Sequence, residues 1–210
     1  MNILAIDTSS VYLSLAVMKN GKIVGRLHKK AEMAHSSILV PSIDKVLKRA
    51  RLGIKDIDVF AVSIGPGSFT GLRIGVTTVK GLAYSLNKEI VAVPTLDVIA
   101  RNVKKFRGII CPVLDARKNK VYSCIYRSDG KDVKKISPYM LLPLEELNKK
   151  LAVYDKIYYL GDMIGDKSWH PKAEIVAELA LSEINNKRFV KPEDLEPMYM
   201  YSRECDIKGH

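Results

Sequence analysis

Ile64-Gly65-Pro66-Gly67-Ser68-Phe69-Thr70-Gly71-Leu72-Arg73-Ile74-Gly75 is the stretch whose reading decides the fold. It follows an apolar run, Val59 to Ile64, that reads as a buried strand, and it precedes a helical pattern running to about Leu86. The stretch is therefore a strand-to-helix corner. Glycine admits φ > 0 and leaves room for a close neighbour, and Pro66 fixes one φ. Ser68 or Thr70 can cap the helix, whose free amides suit an anion. The spacing is neither a Walker loop nor a Gly-x-Gly-x-x-Gly fingerprint. Gly71, Gly75 and Gly81 lie inside the helix, each costing about 1 kcal/mol relative to alanine. Gly71 and Gly75 share one face. Another backbone is expected to come close there, either from the chain's own sheet or from another protein.

Working outward, Asn2 to Asp7 reads as a strand ending in Asp7-Thr8-Ser9-Ser10. Val11 to Lys19 alternates, Asn20-Gly21 signals a two-residue hairpin, and Ile23 to His28 returns. A helix from a Ser36 cap to about Arg51 carries Leu39, Ile43, Val46, Leu47 and Ala50 as its apolar stripe. Ile57 to Ile64, the glycine helix, a strand Glu89 to Val93 and a short helix Leu96 to Val103 complete a first lobe, 1–104. Three antiparallel strands followed by helix, strand, helix, strand is the order of the RNase H-like, actin-like ATPase (ASKHA) fold. Sugar kinases and chaperone ATPases share it, and their first hairpin turn carries an Asp serving the metal-phosphate end of ATP. Asp7, Thr8, Ser9, Gly65, Gly67 and Ser68 are accordingly candidates for nucleotide or phosphate binding.

A second, smaller α/β lobe is expected over 105–210. Ile109 to Leu114 and Val121 to Tyr126 read as strands flanking the turn Asp115 to Lys120. Leu144 to Leu151 reads as a helix, Lys156 to Leu160 as a strand, and Ala173 to Asn185 as an amphipathic helix. The tail from Pro192 is irregular. Asp115 and Arg117 either form an ion pair that shapes their turn or point into a cleft between the lobes. His35, beside Ser36, is the one histidine with a specific setting, as a helix-start residue or a cleft residue.

The chain of 210 residues carries 34 Lys+Arg against 23 Asp+Glu, a formal net charge of +11, and is 47% hydrophobic. A basic surface favours acidic partners, RNA included. Aromatics are only 7%, which does not describe a base-stacking platform. No apolar run approaches the ~20 residues of a membrane span, and no signal peptide is read at the start. Cys111, Cys124 and Cys205 are widely spaced, without CxxC pairs, and read as reduced thiols rather than a disulfide frame or zinc site.

The run Gly65 to Gly75 resembles the signature of the TsaB (YeaZ) family of bacterial tRNA threonylcarbamoyladenosine modification. Asp7-Thr8-Ser9, His35-Ser36 with Leu39 and Pro41, Asp115-Ala116-Arg117 with Val121-Tyr122, Gly161-Asp162, and Glu196-Pro197-x-Tyr199 match the family's other blocks in order. The resemblance implies a non-catalytic subunit that dimerises with the catalytic paralogue, TsaD, which transfers threonylcarbamoyl to a tRNA adenosine. It also implies a TsaE-type ATPase partner and a cytoplasmic setting, and the apolar face of the glycine helix is expected to make a homodimer at high concentration when the chain is isolated. No cofactor is expected on this chain alone, with ATP or ADP in the complex. TsaD carries two metal-binding histidines four apart. Register through the Gly-Pro-Gly corner and Val93 puts them at Thr95 and Ile99, neither of which supplies an imidazole. No metal, transferase or protease activity is therefore expected of this chain. The partner interface is expected on helices 36–51 and 69–86, through Leu39, Ile43, Gly71, Leu72, Gly75, Val76 and Val79. In the tail, Tyr201 stands where the family usually has arginine, and Arg203 is the expected substitute. The alternatives are an independent ATP-dependent phosphotransferase of the sugar-kinase type, resting on Asp7 and the glycine corner, and an RNA-binding module resting on charge alone.

Overall fold

The computed structural model describes residues 1–31, 34–166 and 169–201. The expectations on Arg203 and Cys205 lie outside them. The chain forms two compact units, Met1–Val98 with Pro171–Pro197, and Ile99–His170 with Met198 onward.

In the first unit, β1 (Asn2–Asp7), β2 (Tyr12–Lys19) and β3 (Lys22–Lys30) form the expected antiparallel meander. Asn20 and Gly21, with φ of 49° and 77°, make the two-residue turn that a right-twisted hairpin prefers. β4 (Val59–Gly65) and β5 (Glu89–Pro94) add in parallel, giving the order β3-β2-β1-β4-β5. Side chains alternate across a strand, so this sheet has two apolar faces. Leu4, Ile6, Leu13, Leu15, Phe60 and Val62 meet α1 (His35–Arg49) and α2 (Phe69–Leu86) on one face. Ile3, Ala5, Ala16 and Ala61 meet α5 (Ala173–Asn185) on the other. This is the α/β, RNase H-like arrangement the strand order calls for, with a mixed sheet.

The division at residue 104 is corrected by α5. Its Val176, Ala177 and Ala180 are buried against Ile3, Ala5 and Ala16, because the second face of the first sheet must be covered. The first unit is therefore discontinuous in sequence. α1 also differs from expectation. It begins at His35, its N-cap is Ala34, and no side chain caps it, so Ser36 lies inside the helix. Pro41 lies in its second turn, on the exposed side. α3 (Thr95–Arg101) is shorter than expected, and the unit boundary falls within it.

In the second unit, β6 (Arg107–Asp115) is central. It pairs antiparallel with β7 (Lys120–Ser123) and β8 (Tyr126–Asp129), and parallel with β11 (Ile157–Gly161). β9 (Val133–Lys135) and β10 (Met140–Pro143), not foreseen, are the outer strands. The single strand expected over Val121 to Tyr126 is two. The ladder lapses between the pairs Ser123–Val113 and Tyr126–Ile110, a stretch holding Pro112, which has no amide hydrogen to donate. α4 (Leu144–Leu151) buries Leu147 and Leu151 against Ile109, Cys111 and Val113.

Candidate functional site: the glycine corner and the outer face of α2

β4 ends at Gly65 with φ of 110°, and the Gly65–Pro66 peptide bond is cis. Ser68 caps α2, its hydroxyl accepting from the Gly71 amide at 3.2 Å. Against this corner lies the β1–β2 turn. The Ser68 amide donates to the Ser9 carbonyl at 2.8 Å, and the Thr8 hydroxyl donates to the Gly71 carbonyl at 2.7 Å. A Cβ at Gly67 would collide with the Ser9 carbonyl, one at Gly71 with the Thr8 carbonyl, and one at Gly75 with the Thr8 hydroxyl. The glycine face of α2 is thus filled by the chain's own first turn. Gly71 and Gly75, expected at a partner interface, are corrected accordingly.

Asp7, Thr8, Ser9, Gly65, Gly67 and Ser68 do come together, but their polar groups are engaged within the fold, Thr8 on Gly71, Gly65 on Thr95, and Ser9 on Asp7 and Ser68. Asp7 is fully buried and accepts from the Ser9 amide and hydroxyl at 3.0 Å each. The Ser63 hydroxyl also faces it, short of a formed hydrogen bond. Burial pushes the Asp7 carboxyl up to about 6, with these hydroxyls and the Ser9 amide opposing. The Ser9 carbonyl takes up the Ser68 amide, one of the helix-start amides that an anion would need.

At the two positions that the resemblance aligns with the paralogue's histidines, the buried Thr95 hydroxyl accepts from the Gly65 amide at 3.1 Å, bracing the corner, and Ile99 is buried. His35 is buried, its Nε2 3.3 Å from the Tyr12 carbonyl, and Tyr12 stacks on His28 at 4.6 Å. His35 therefore seats the start of α1 on β2. His28 titrates below its usual range because it is partly buried, with the Glu174 charge opposing.

In the second unit, the Asp115 and Arg117 turn is shaped by its own members. Arg117 donates its amide to Asp115 Oδ1 at 2.7 Å, and its guanidinium lies 3.2 Å from Oδ2. Arg117, Lys118 and Asn119 all have positive φ. Asp162 accepts from the Asp115 amide at 2.8 Å, and the Tyr201 hydroxyl donates to the Ala116 carbonyl at 2.9 Å. Two motif blocks and the tail residue Tyr201, far apart in sequence, thus meet at one turn. His35 belongs to the other unit.

Leu39, Ile43, Val76 and Val79, expected to face a partner, are buried in the first unit's core, and Leu72 is buried as well. They lie on the helix faces turned to the sheet, as an apolar stripe does when its own sheet can cover it. What stands outside is Val40 of α1, 61% exposed, and Phe69 and Tyr84 of α2, 53% and 79% exposed. The Arg73 guanidinium lies 3.8 Å from the Phe69 ring centre. Next to Tyr84 is an open groove lined by Lys80, Gly81, Pro192 and Glu193. Sequence reasoning missed these residues. Their signal was two large aromatics off the apolar stripe of an amphipathic helix.

A family model described as TsaD, tRNA N6-adenosine threonylcarbamoyltransferase, matches residues 19–164. A Bacillus subtilis protein named tRNA threonylcarbamoyladenosine biosynthesis protein TsaB is 33% identical over 162 residues, covering 77% of this chain and 71% of that one. The chain belongs to the TsaB family. A Haemophilus influenzae TsaB is 26% identical over 223 residues, covering 95% of this chain and 93% of that one. The structure of YeaZ from Pseudomonas aeruginosa superposes with a TM-score of 0.83 at 25% identity, over 94% of this chain and all of that one. The TsaB likeness thus spans both units. No helix among the described residues is long and apolar enough to cross a membrane.

Proposed function

We propose that this chain is the non-catalytic subunit of a tRNA threonylcarbamoyladenosine synthesis complex. It binds a TsaD-type paralogue through the outer faces of α1 and α2, and the paralogue transfers threonylcarbamoyl to a tRNA adenosine. The observation that carries the reading is the outer face of α2, where Phe69 and Tyr84 stand exposed although the inner face is already filled. Exposed aromatics of this kind mark interaction surfaces, and Arg and aromatic side chains dominate binding energy at them. The chain matches the same family model as TsaD. Equivalent helix pairs on two paralogues can therefore meet as four helices about a pseudo-twofold axis. In isolation a second copy takes that place, giving a homodimer.

Thr95 and Ile99, at the paralogue's histidine positions, make the chain a poor catalyst. A TsaE-type ATPase completes the assembly in the cytoplasm, with ATP or ADP held there rather than in this chain's glycine corner. The sugar-kinase alternative loses its main support because the corner is filled by Ser9.

The test is reconstitution with the TsaD-type paralogue of the same organism, threonylcarbamoyl-adenylate and unmodified tRNA. Transfer is expected from the two proteins together and not from this chain alone. Transfer by this chain alone, or no association at micromolar concentrations, contradicts the reading.

A further inference from the structure

The basic residues of the second unit are not spread evenly. The stretches 101–107 and 127–135 together hold eight basic residues, Arg101, Lys104, Lys105, Arg107, Arg127, Lys131, Lys134 and Lys135, against Asp129 and Asp132, a net of +6. The fold brings them to one place. The Ser128 hydroxyl donates to the Lys104 carbonyl at 3.1 Å, and the Arg107 side chain lies beside Gly130. Arg101 reaches Asp132 at 3.4 Å. The two acidic groups are engaged locally, Asp132 by Arg101 and Asp129 by the amides of Lys131 and Asp132 at 2.8 Å each. The Lys134 charge also acts on Asp129, which leaves the pair of Arg127 and Lys134 only partly offset. Those two are directly opposite each other in the β8–β9 pairing and both are exposed. Like charges directly opposite on a strand pair destabilise it, and an anion lying across the pair removes the repulsion.

We infer that the β8–β9 ribbon, with the 104–107 segment beside it, is a contact surface for the RNA phosphate backbone, taking tRNA. The inference rests on the proposed role in tRNA modification. Closely set phosphates match a row of lysines and arginines. The surface holds few exposed aromatics, so contact is with backbone rather than stacked bases. It therefore positions tRNA without reading its sequence.

The test measures binding of an unmodified tRNA transcript by the full chain across a salt series. The variant carries Arg127→Gln, Lys131→Gln and Lys134→Gln. The control carries Lys19→Gln, Lys22→Gln and Lys29→Gln, the same charge change on exposed positions of the first unit. The first variant is expected to bind at least tenfold more weakly at low salt. Its slope of log affinity against log salt should fall by about two, since each lost phosphate contact removes ~0.7–0.9. The control should bind like the native chain. Equal losses in both variants, or no loss in the first, overturn the inference. So does loss of polyglutamate binding with tRNA binding intact, which assigns the surface to acidic polypeptides. Association with the TsaD-type paralogue is measured on the same samples. If it holds while the patch has no effect on tRNA, only the RNA surface fails. If the native chain does not associate, the proposed function fails instead.

Discussion

Thr8 and Gly75 are in contact across the first unit: the Thr8 hydroxyl that donates to the Gly71 carbonyl occupies the place a Cβ of Gly75 would take. The glycines of α2 therefore serve the chain's own turn. Gly81, about one and two-thirds turns on, faces open space. The two positions should respond oppositely to one substitution. Gly81→Ala should stabilise the chain by about 0.5–1 kcal/mol through helix propensity alone. Gly75→Ala should destabilise it by about 1–3 kcal/mol despite the same propensity gain, because the buried site is overpacked. Urea unfolding of both variants checks this. Equal shifts of the same sign would contradict the packing described.

Asp7 should give the chain a pH dependence of stability. Its folded value, about 6 against 3.8 for an ordinary aspartate, means that the folded state binds the proton more tightly. Stability is then full below about 4 and falls as pH rises through about 6. A shift of that size corresponds to roughly 3 kcal/mol. Asp7→Asn should flatten the pH 4–6 segment of the stability profile and be more stable than the native chain at pH 7.5. A native profile that rises across that window would show that Asp7 is not held as described.

Much of the first unit was legible because its signals are local. Asn20-Gly21, the alternation of β2, and Ser68 before a helical run each act within a few residues. The glycine stripe was legible as a close approach, but not as an approach by Thr8, which lies more than sixty residues earlier. Register across a sheet decides that contact, and no local pattern records it. The same reason hid the place of α5, whose amphipathic face says that it packs but not on which sheet. The outer face of α2 was misjudged for a different reason. An apolar stripe reads the same whether a sheet or a partner covers it, and only the position of Phe69 and Tyr84 off that stripe separates the two. Strands as short as β9 fall below what alternation can reveal.

Tyr201 should hold the Asp115–Lys120 turn rather than the whole fold. Its hydroxyl donates to the carbonyls of Ala116 and Arg117 at 2.9 and 3.3 Å. Tyr201→Phe should cost about 0.5–1.5 kcal/mol, expressed as faster hydrogen exchange at the Ala116 and Lys120 amides, which close the turn. Exchange accelerated equally throughout the second unit would indicate a global role instead.

The most direct test of the account is the affinity of this chain for its TsaD-type paralogue, measured by calorimetry with Phe69→Glu. Phe69 is more than half exposed, so the variant should melt with the native chain. Loss of the ring and of its Arg73 contact, with a new charge at the N-terminal end of the α2 face, should weaken association at least tenfold, about 1.4 kcal/mol. Native affinity in the folded variant would contradict the placing of the partner on α2.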